Sequence, residues 1–225
     1  MCSATEPRET TLILASGSPR RRELLPLLGV PFVVQPVEVS EDNHRGESPD
    51  AQVVRLAQLK AAAGLEAAPG RVIVAADTLV ALDGRVLGKP RDSHEAEVML
   101  RRLRGRSHTV FSGVTLVDGH SGWRRTELAQ TTVWMRNYTD LELETYVSSG
   151  DPLDKAGAYA IQYPGFSPVE RVEGCYANVI GLPLCHLYRL LQAMGYDLPQ
   201  TPEAECNHHN RRRCGVARAI LAETR

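Results

Sequence analysis

The sequence predicts an α/β protein with some antiparallel hairpins, on three observations. Short apolar stretches alternate with amphipathic helical ones along the chain. The run Val72-Ile73-Val74-Ala75-Ala76 has no polar face, as a strand covered on both sides requires. Asp-Gly pairs at Asp83-Gly84 and Asp118-Gly119 interrupt apolar runs as hairpin turns do. A chain of 225 residues is long enough to bury a sizeable core in one domain.

Leu12-Ile13-Leu14 reads as a buried strand, followed by the loop Ala15-Ser16-Gly17 and a helix over about 19–28, with Ser18 as N-cap and Pro19 as its first residue. A strand follows near 32–39, then a polar loop over 40–49 and a helix over roughly 50–63. The strand from Val72 leads into the Asp83-Gly84 hairpin, whose register pairs Leu82 with Arg85, Val80 with Leu87, Leu79 with Gly88 and Thr78 with Lys89. Asp92 with Glu95 has the capping-box pattern of a helix that stops at Gly105, and Thr139 with Glu142 repeats it before Gly150. Between them, 109–117 and 126–135 are long strands joined through Asp118-Gly119. Pro183 opens a last amphipathic helix carrying Leu184, Leu187, Leu190, Leu191 and Met194, closed by Gly195. The expected organisation is a flexible N-terminus over 1–10, a single domain over 11–198 and a flexible tail over 199–225. That tail holds Cys206, His208, His209, Arg211 to Arg213 and Cys214, a spacing that matches no standard zinc site.

Composition narrows the functional classes. A net charge of -1 and 5% aromatic residues argue against a nucleic-acid partner. No apolar run approaches the roughly 20 residues that span a bilayer, and the polar stretch through Thr10 lacks a signal-peptide core. Five scattered cysteines fit free thiols in a reducing compartment. A cytoplasmic protein with neither membrane nor nucleic-acid partner is the expectation.

Three segments carry candidate chemistry. At the first helix start, unpaired N–H groups and a partial positive charge attract anions, and Arg20 and Arg21 follow where a helix built for stability alone favours acids. An ordinary helix start with solvated arginines is the alternative. On the next helix, Lys60 projects between Val53, Leu56 and Ala57, hence inward; its ammonium either snorkels to water or faces phosphates in a cleft. Asp77, at the end of the buried run, is costly there unless it is ion-paired, binds metal or works as a base. An Asp77–Lys89 salt bridge across the hairpin is the plainer reading. In the third segment, small residues interleave with Lys155, Tyr159 and Gln162, as where backbone approaches a ligand; Gln162 has the donor and acceptor to read a nucleobase edge.

Together these segments resemble the Maf family of nucleotide pyrophosphatases. The family pattern appears as Ser16-Gly17-Ser18-Pro19-Arg20-Arg21, Glu41, Lys60, Ala76-Asp77-Thr78, Gly88-Lys89-Pro90, Asp154 through Gln162, and Asn178-Val179-Ile180-Gly181-Leu182-Pro183. The resemblance implies an elongated mixed β-sheet with flanking helices, two lobes around a central cleft, akin to the inosine triphosphate pyrophosphatases and often dimeric. The segment Asp154 to Gln162 looks like the branch that hydrolyses dTTP and UTP, while the stretch from Gly165 to Val172 departs from the glycine-rich linker that follows it in the family.

The implied reaction is attack of water on the α-phosphorus of a nucleoside triphosphate, giving the monophosphate and pyrophosphate. Arg20, Arg21, Lys60 and Lys89 suit the triphosphate charge, with Ser16 and the loop amides orienting it and Thr78 beside them. Glu41 and Asp77 would hold Mg²⁺ or Mn²⁺, and either carboxylate could take the proton, Asp77 being preferred. Lys155 and Gln162 would recognise base or phosphate. Alternatives are a 7-methyl-GTP pyrophosphatase and a nucleotide-sensing regulator of cell division with little catalysis; the latter needs no paired carboxylates.

Overall fold

The structure, a computed structural model, describes residues 11–199 and 201–223. The flexible terminus expected over 1–10 lies outside the described residues. Seven strands form one mixed sheet in the order β2-β1-β3-β5-β6-β7, with β4 also on β3. Strands β1 (Leu12–Leu14), β2 (Phe32–Val34) and β3 (Val72–Leu82) are parallel. Strands β4 (Arg85–Leu87), β5 (Ser107–Asp118), β6 (Arg124–Met135) and β7 (Val169–Glu173) each join antiparallel to a neighbour.

Strand β3 organises the molecule. β5 pairs along one of its edges from Val72 to Ala81. The opposite edge is shared, with β1 beside Val72 to Val74 and β4 beside Val80 to Leu82, so that on this edge the backbone of 75–79 has no strand next to it. The sheet therefore forks in mid-strand, and Asp77 stands in the fork.

A core lies on each side of it. On the β1 side, α1 (Pro19–Leu24) and α6 (Leu184–Ala193) set Leu24, Leu184, Leu187 and Leu191 against Leu12, Leu14 and Val74. Across the sheet there, Ala61 of α2 (Pro49–Ala67) meets Ile13, Ile73 and Ala75. On the β4 side, α3 (Ser93–Leu103) and α4 (Asp140–Ser148) pack Leu100, Leu103, Leu143 and Tyr146 with Val80, Leu82 and Leu87. These are the two lobes. Both caps read from sequence form: Asp92 Oδ1 accepts from the Glu95 amide at 2.8 Å, and Thr139 with Glu142 makes the full reciprocal box. At the hairpin tip Asp83 (φ 53°) and Gly84 (φ 73°) adopt the left-handed pair of a two-residue turn.

The structure departs from expectation at four places. The first helix gives way after Leu24 to a 3-10 turn through Leu28, because Pro26 has no N–H to extend an α-helical ladder. Strand β2 stops at Val34, because its partner β1 is only three residues long before the chain turns into α1. Hairpin pairing ends at Val80–Leu87; the next carbonyl, Gly88 O, instead accepts from the Gly157 amide at 3.0 Å. Beyond residue 199, where a flexible tail was expected, α7 (Pro202–Asn210) and α8 (Ala217–Ala222) pack against α6, with Cys206, Val216, Ile220 and Leu221 covering the first core. Those few apolar residues are hidden in the sequence among arginines, histidines and asparagines. Among the described residues no helix is long and apolar enough to cross a membrane. The last short helix, α5 (Tyr176–Ile180), carries the chain from β7 back to the fork.

Candidate active site

The fork opens into a cleft of about 620 Å³ between the lobes. Its charged end is built around Lys60. From α2, the Lys60 ammonium reaches Asp77 Oδ1 at 2.5 Å and Glu41 Oε1 at 2.6 Å, bridging both carboxylates. The lysine stem does pack inward as its helical position predicts, with 13% of the side chain exposed. A bare spot in the sheet makes this reach possible. Gly113 of β5 lies opposite Asp77 in register, and a Cβ there would sit 2.6 Å from the carbonyl oxygen of Val53 on α2. Glycine thus lets α2 lie close enough to deliver Lys60.

Arg21 is the second anchor. It is 9% exposed, and its guanidinium donates to Gly181 O at 2.9 Å, Ser16 Oγ at 3.1 Å and Thr78 Oγ1 at 3.2 Å. These bonds tie α1, β3 and the turn before α6 into one wall, with Ser112 Oγ 2.8 Å behind Thr78. Three of five guanidinium hydrogens are thereby engaged, which leaves two for a ligand. Arg20, Lys89 and Gly17 also line the cleft. Ser18 is the N-cap by backbone conformation, but its side chain makes no capping bond; its amide points to Ser16 Oγ at 3.3 Å.

The two carboxylates are unlike. Asp77 is 6% exposed, and burial raises its pKa despite the opposing charges of Lys60 and Arg21. At Glu41 partial burial also pushes upward, but the hydrogen bond and charge of Lys60, aided by Lys89 and Arg21, bring the net value below the ordinary one. Burial lowers the Arg21 pKa, with the charge of Asp77 pulling the other way. The Asp77–Lys89 salt bridge does not form: Lys60 is the ion-pair partner of Asp77.

Lys60 engages one oxygen of each carboxylate and leaves Glu41 Oε2 and Asp77 Oδ2 as hard donors. Among the described residues no three His, Cys, Asp or Glu side chains gather into a metal cage. Two carboxylates fit Mg²⁺ or Mn²⁺, ions whose shell is completed by water and substrate phosphates.

The other end of the cleft is apolar, with Leu79, Val80, Val110, Ile161 and Val179 beside Tyr159. Sequence reasoning did not single out what holds Tyr159. His108 Nε2 lies 2.8 Å from its hydroxyl, and burial lowers His108 to a pKa of about 4, so the ring is neutral. Asp154, the first residue of the same motif, lines the cleft as well. Lys155 does not line it. Its ammonium turns back to Asp151 O at 2.7 Å, Asp151 Oδ1 at 2.9 Å and Asp154 Oδ1 at 2.6 Å, bracing its own loop. Gln162 sits in a recess that shares Arg20, Ile161 and Ile180 with the cleft, and its Nε2 donates to Asn210 Oδ1 at 3.2 Å.

Known proteins match this chain along most of its length. A family described as Maf-like protein matches residues 11–194. The dTTP/UTP pyrophosphatase of Myxococcus xanthus (strain DK1622) is 48% identical over 191 residues, covering 85% of this chain and 96% of that protein. The dTTP/UTP pyrophosphatase of Thermomicrobium roseum (strain ATCC 27502 / DSM 5159 / P-2) is 45% identical over 196 residues, covering 86% and 88%. Among solved structures, the Staphylococcus aureus Ham1 protein aligns at 15% identity and a TM-score of 0.46, covering 82% of this chain and 97% of that one.

Proposed function

The chain belongs to the Maf family, and from that membership we infer that its cleft hydrolyses dTTP and UTP to the monophosphate and pyrophosphate. It is an enzyme, a nucleoside triphosphate pyrophosphatase, like the relatives it matches along most of its length. One observation carries the assignment of chemistry to residues: Lys60 holds Asp77 and Glu41 together in the sheet fork, facing Arg20, Arg21 and Lys89 across a single cleft.

The residues divide the work by position. Arg20, Lys89 and the two remaining N–H groups of Arg21 neutralise the triphosphate and the charge that grows on departing pyrophosphate. Ser16 and Thr78 hold Arg21 in place and border the phosphate path. Asp77 takes the proton of the attacking water, its burial having raised its basicity toward the working pH, and Lys60 fixes which oxygen faces the cleft. Glu41 and Asp77 would hold Mg²⁺ or Mn²⁺, which when bound lowers the pKa of water and offsets phosphate charge. The base lies among Tyr159, Ile161 and Val179, with Gln162 at its edge. Lys155 serves by holding the Asp151 to Asp154 loop against the cleft.

The test is turnover of dTTP, UTP, CTP, GTP and 7-methyl-GTP with Mg²⁺ or Mn²⁺ in ¹⁸O-water, with products separated by chromatography. Selective conversion of dTTP and UTP, with the label in the monophosphate, is expected for attack at the α-phosphorus. Label in pyrophosphate would move the attack to the β-phosphorus, and turnover of 7-methyl-GTP alone would overturn the substrate assignment.

A further inference from the structure

We propose that Asn210, on a helix beyond the family match, fixes which end of the Gln162 amide meets the nucleobase, and thereby selects uracil and thymine over cytosine. The proposal rests on the reading of Gln162 as a base-contacting residue. It adds a positioning residue from a segment that lies outside residues 11–194.

The argument is one of hydrogen-bond polarity. Asn210 Nδ2 donates to the carbonyl oxygen of Cys206 at 2.8 Å and lies 3.3 Å from Cys206 Sγ. A carbonyl only accepts, so the amide nitrogen of Asn210 must face it and Oδ1 must face outward. Oδ1 in turn only accepts, so Gln162 must present Nε2 to it, as it does at 3.2 Å. The Gln162 amide then offers the base an acceptor, Oε1, beside the second N–H of Nε2. That order complements the imide edge of uracil and thymine, where an N–H donor stands beside a carbonyl. Cytosine presents the reverse order, a ring-nitrogen acceptor beside an amino donor. A free glutamine turns over to suit either base, whereas one tied to Asn210 loses a hydrogen bond if it does.

The tie is well founded mechanically. Pro202 at the start of α7 is buried, and the Cys214 amide donates to Asn207 Oδ1 at 2.7 Å, closing the chain after Asn210 into a loop. The Arg212 guanidinium lies 4.4 Å from the centre of the Tyr176 ring, and Arg189 Nη1 donates to Ile220 O at 2.9 Å. Asn210 is therefore held by the domain on either side of the position from which it reaches Gln162.

The experiment measures kcat/KM for UTP and for CTP, by pyrophosphate release with the full chain, in wild type, Gln162→Ala, Asn210→Ala, Asn210→Asp and Asn210→Lys, each checked by thermal melting. Asn210→Ala is expected to lower the UTP-to-CTP ratio about five- to tenfold, mostly through KM. Asn210→Asp still accepts from Gln162 and should restore the ratio. Asn210→Lys only donates, so it turns the amide over and should shift preference toward CTP. In Gln162→Ala the ratio should fall likewise, and adding Asn210→Ala should lower it no further. A wild-type ratio in Asn210→Ala alongside a lowered ratio in Gln162→Ala overturns the role of Asn210 and leaves Gln162 as a base contact. A wild-type ratio in Gln162→Ala overturns both.

Discussion

Lys60 is the residue on which the candidate site turns, because one ammonium holds two carboxylates from different parts of the chain. Lys60→Met should cut kcat/KM by about 10²-fold or more, read by pyrophosphate release, since it frees Asp77 and Glu41 to repel each other. Asp77→Asn should abolish turnover without lowering the melting temperature of the metal-free protein. The raised pKa of Asp77 means that the folded state binds this proton more tightly than the unfolded chain. Stability is therefore lost as pH rises through the folded value, and a neutral amide removes that cost. A lowered melting temperature would show that the ion pair outweighs burial. His108 has the opposite sign: buried and neutral, with a pKa near 4 against an ordinary 6.5, it binds its proton less readily when folded. Its contribution is whole above about pH 6.5 and is lost toward pH 4, amounting to about 3 kcal/mol at the acid end. Urea unfolding at pH 7 and 4.5 should show that loss in wild type and a smaller one in His108→Gln. Asp77 and Lys60 were both legible as buried charges in apolar patterns. Their partnership was not, because Lys89 is the nearer in sequence to Asp77 and only packing of α2 on the sheet shows that Lys60 is the nearer in space.

At the scale of elements, two glycines set distances that no periodicity reveals. Gly113 lets α2 lie against β5, where an added Cβ would meet Val53 O at 2.6 Å. Gly113→Ala should push α2 outward, lowering stability by about 1–3 kcal/mol and drawing Lys60 away from Asp77, visible as loss of both melting temperature and kcat. Gly157 has φ 72°, and a Cβ there would lie 3.0 Å from Val80 Cγ1. The loop it belongs to places Ala156 and Tyr159 in the cleft, so strain there affects the apolar end of the cleft first. Helix starts at Asp92 and Thr139 and the tip of the Asp83-Gly84 hairpin were readable because local hydrogen bonds decide them. The length of β2 was not, since Val37 and Val39 continue an alternating pattern for which β1 supplies no partner.

For the whole molecule, α7 and α8 complete the first core, and removing residues from 200 onward should expose it. Burial pushes the Cys175 thiol up to about 12 and raises Cys185 as well, and both line the cavity beneath these helices. In the intact chain they should react slowly with a thiol reagent; truncation at 199 should speed their reaction and lower the melting temperature by several degrees. Fast labelling of the intact chain would mean that α7 and α8 open readily. By itself the sequence determined the α/β class, the caps and hairpin tip, the inward lysine and the buried aspartate, because each follows from contacts within a few residues or from one apolar periodicity. Tertiary structure alone decided that β3 is shared end to end by β1 and β4, that Lys60 rather than Lys89 pairs with Asp77, that Lys155 turns away from the cleft, and that Asn210 reaches Gln162. Those outcomes depend on which surfaces bury each other, a competition among segments far apart in sequence that local pattern does not encode.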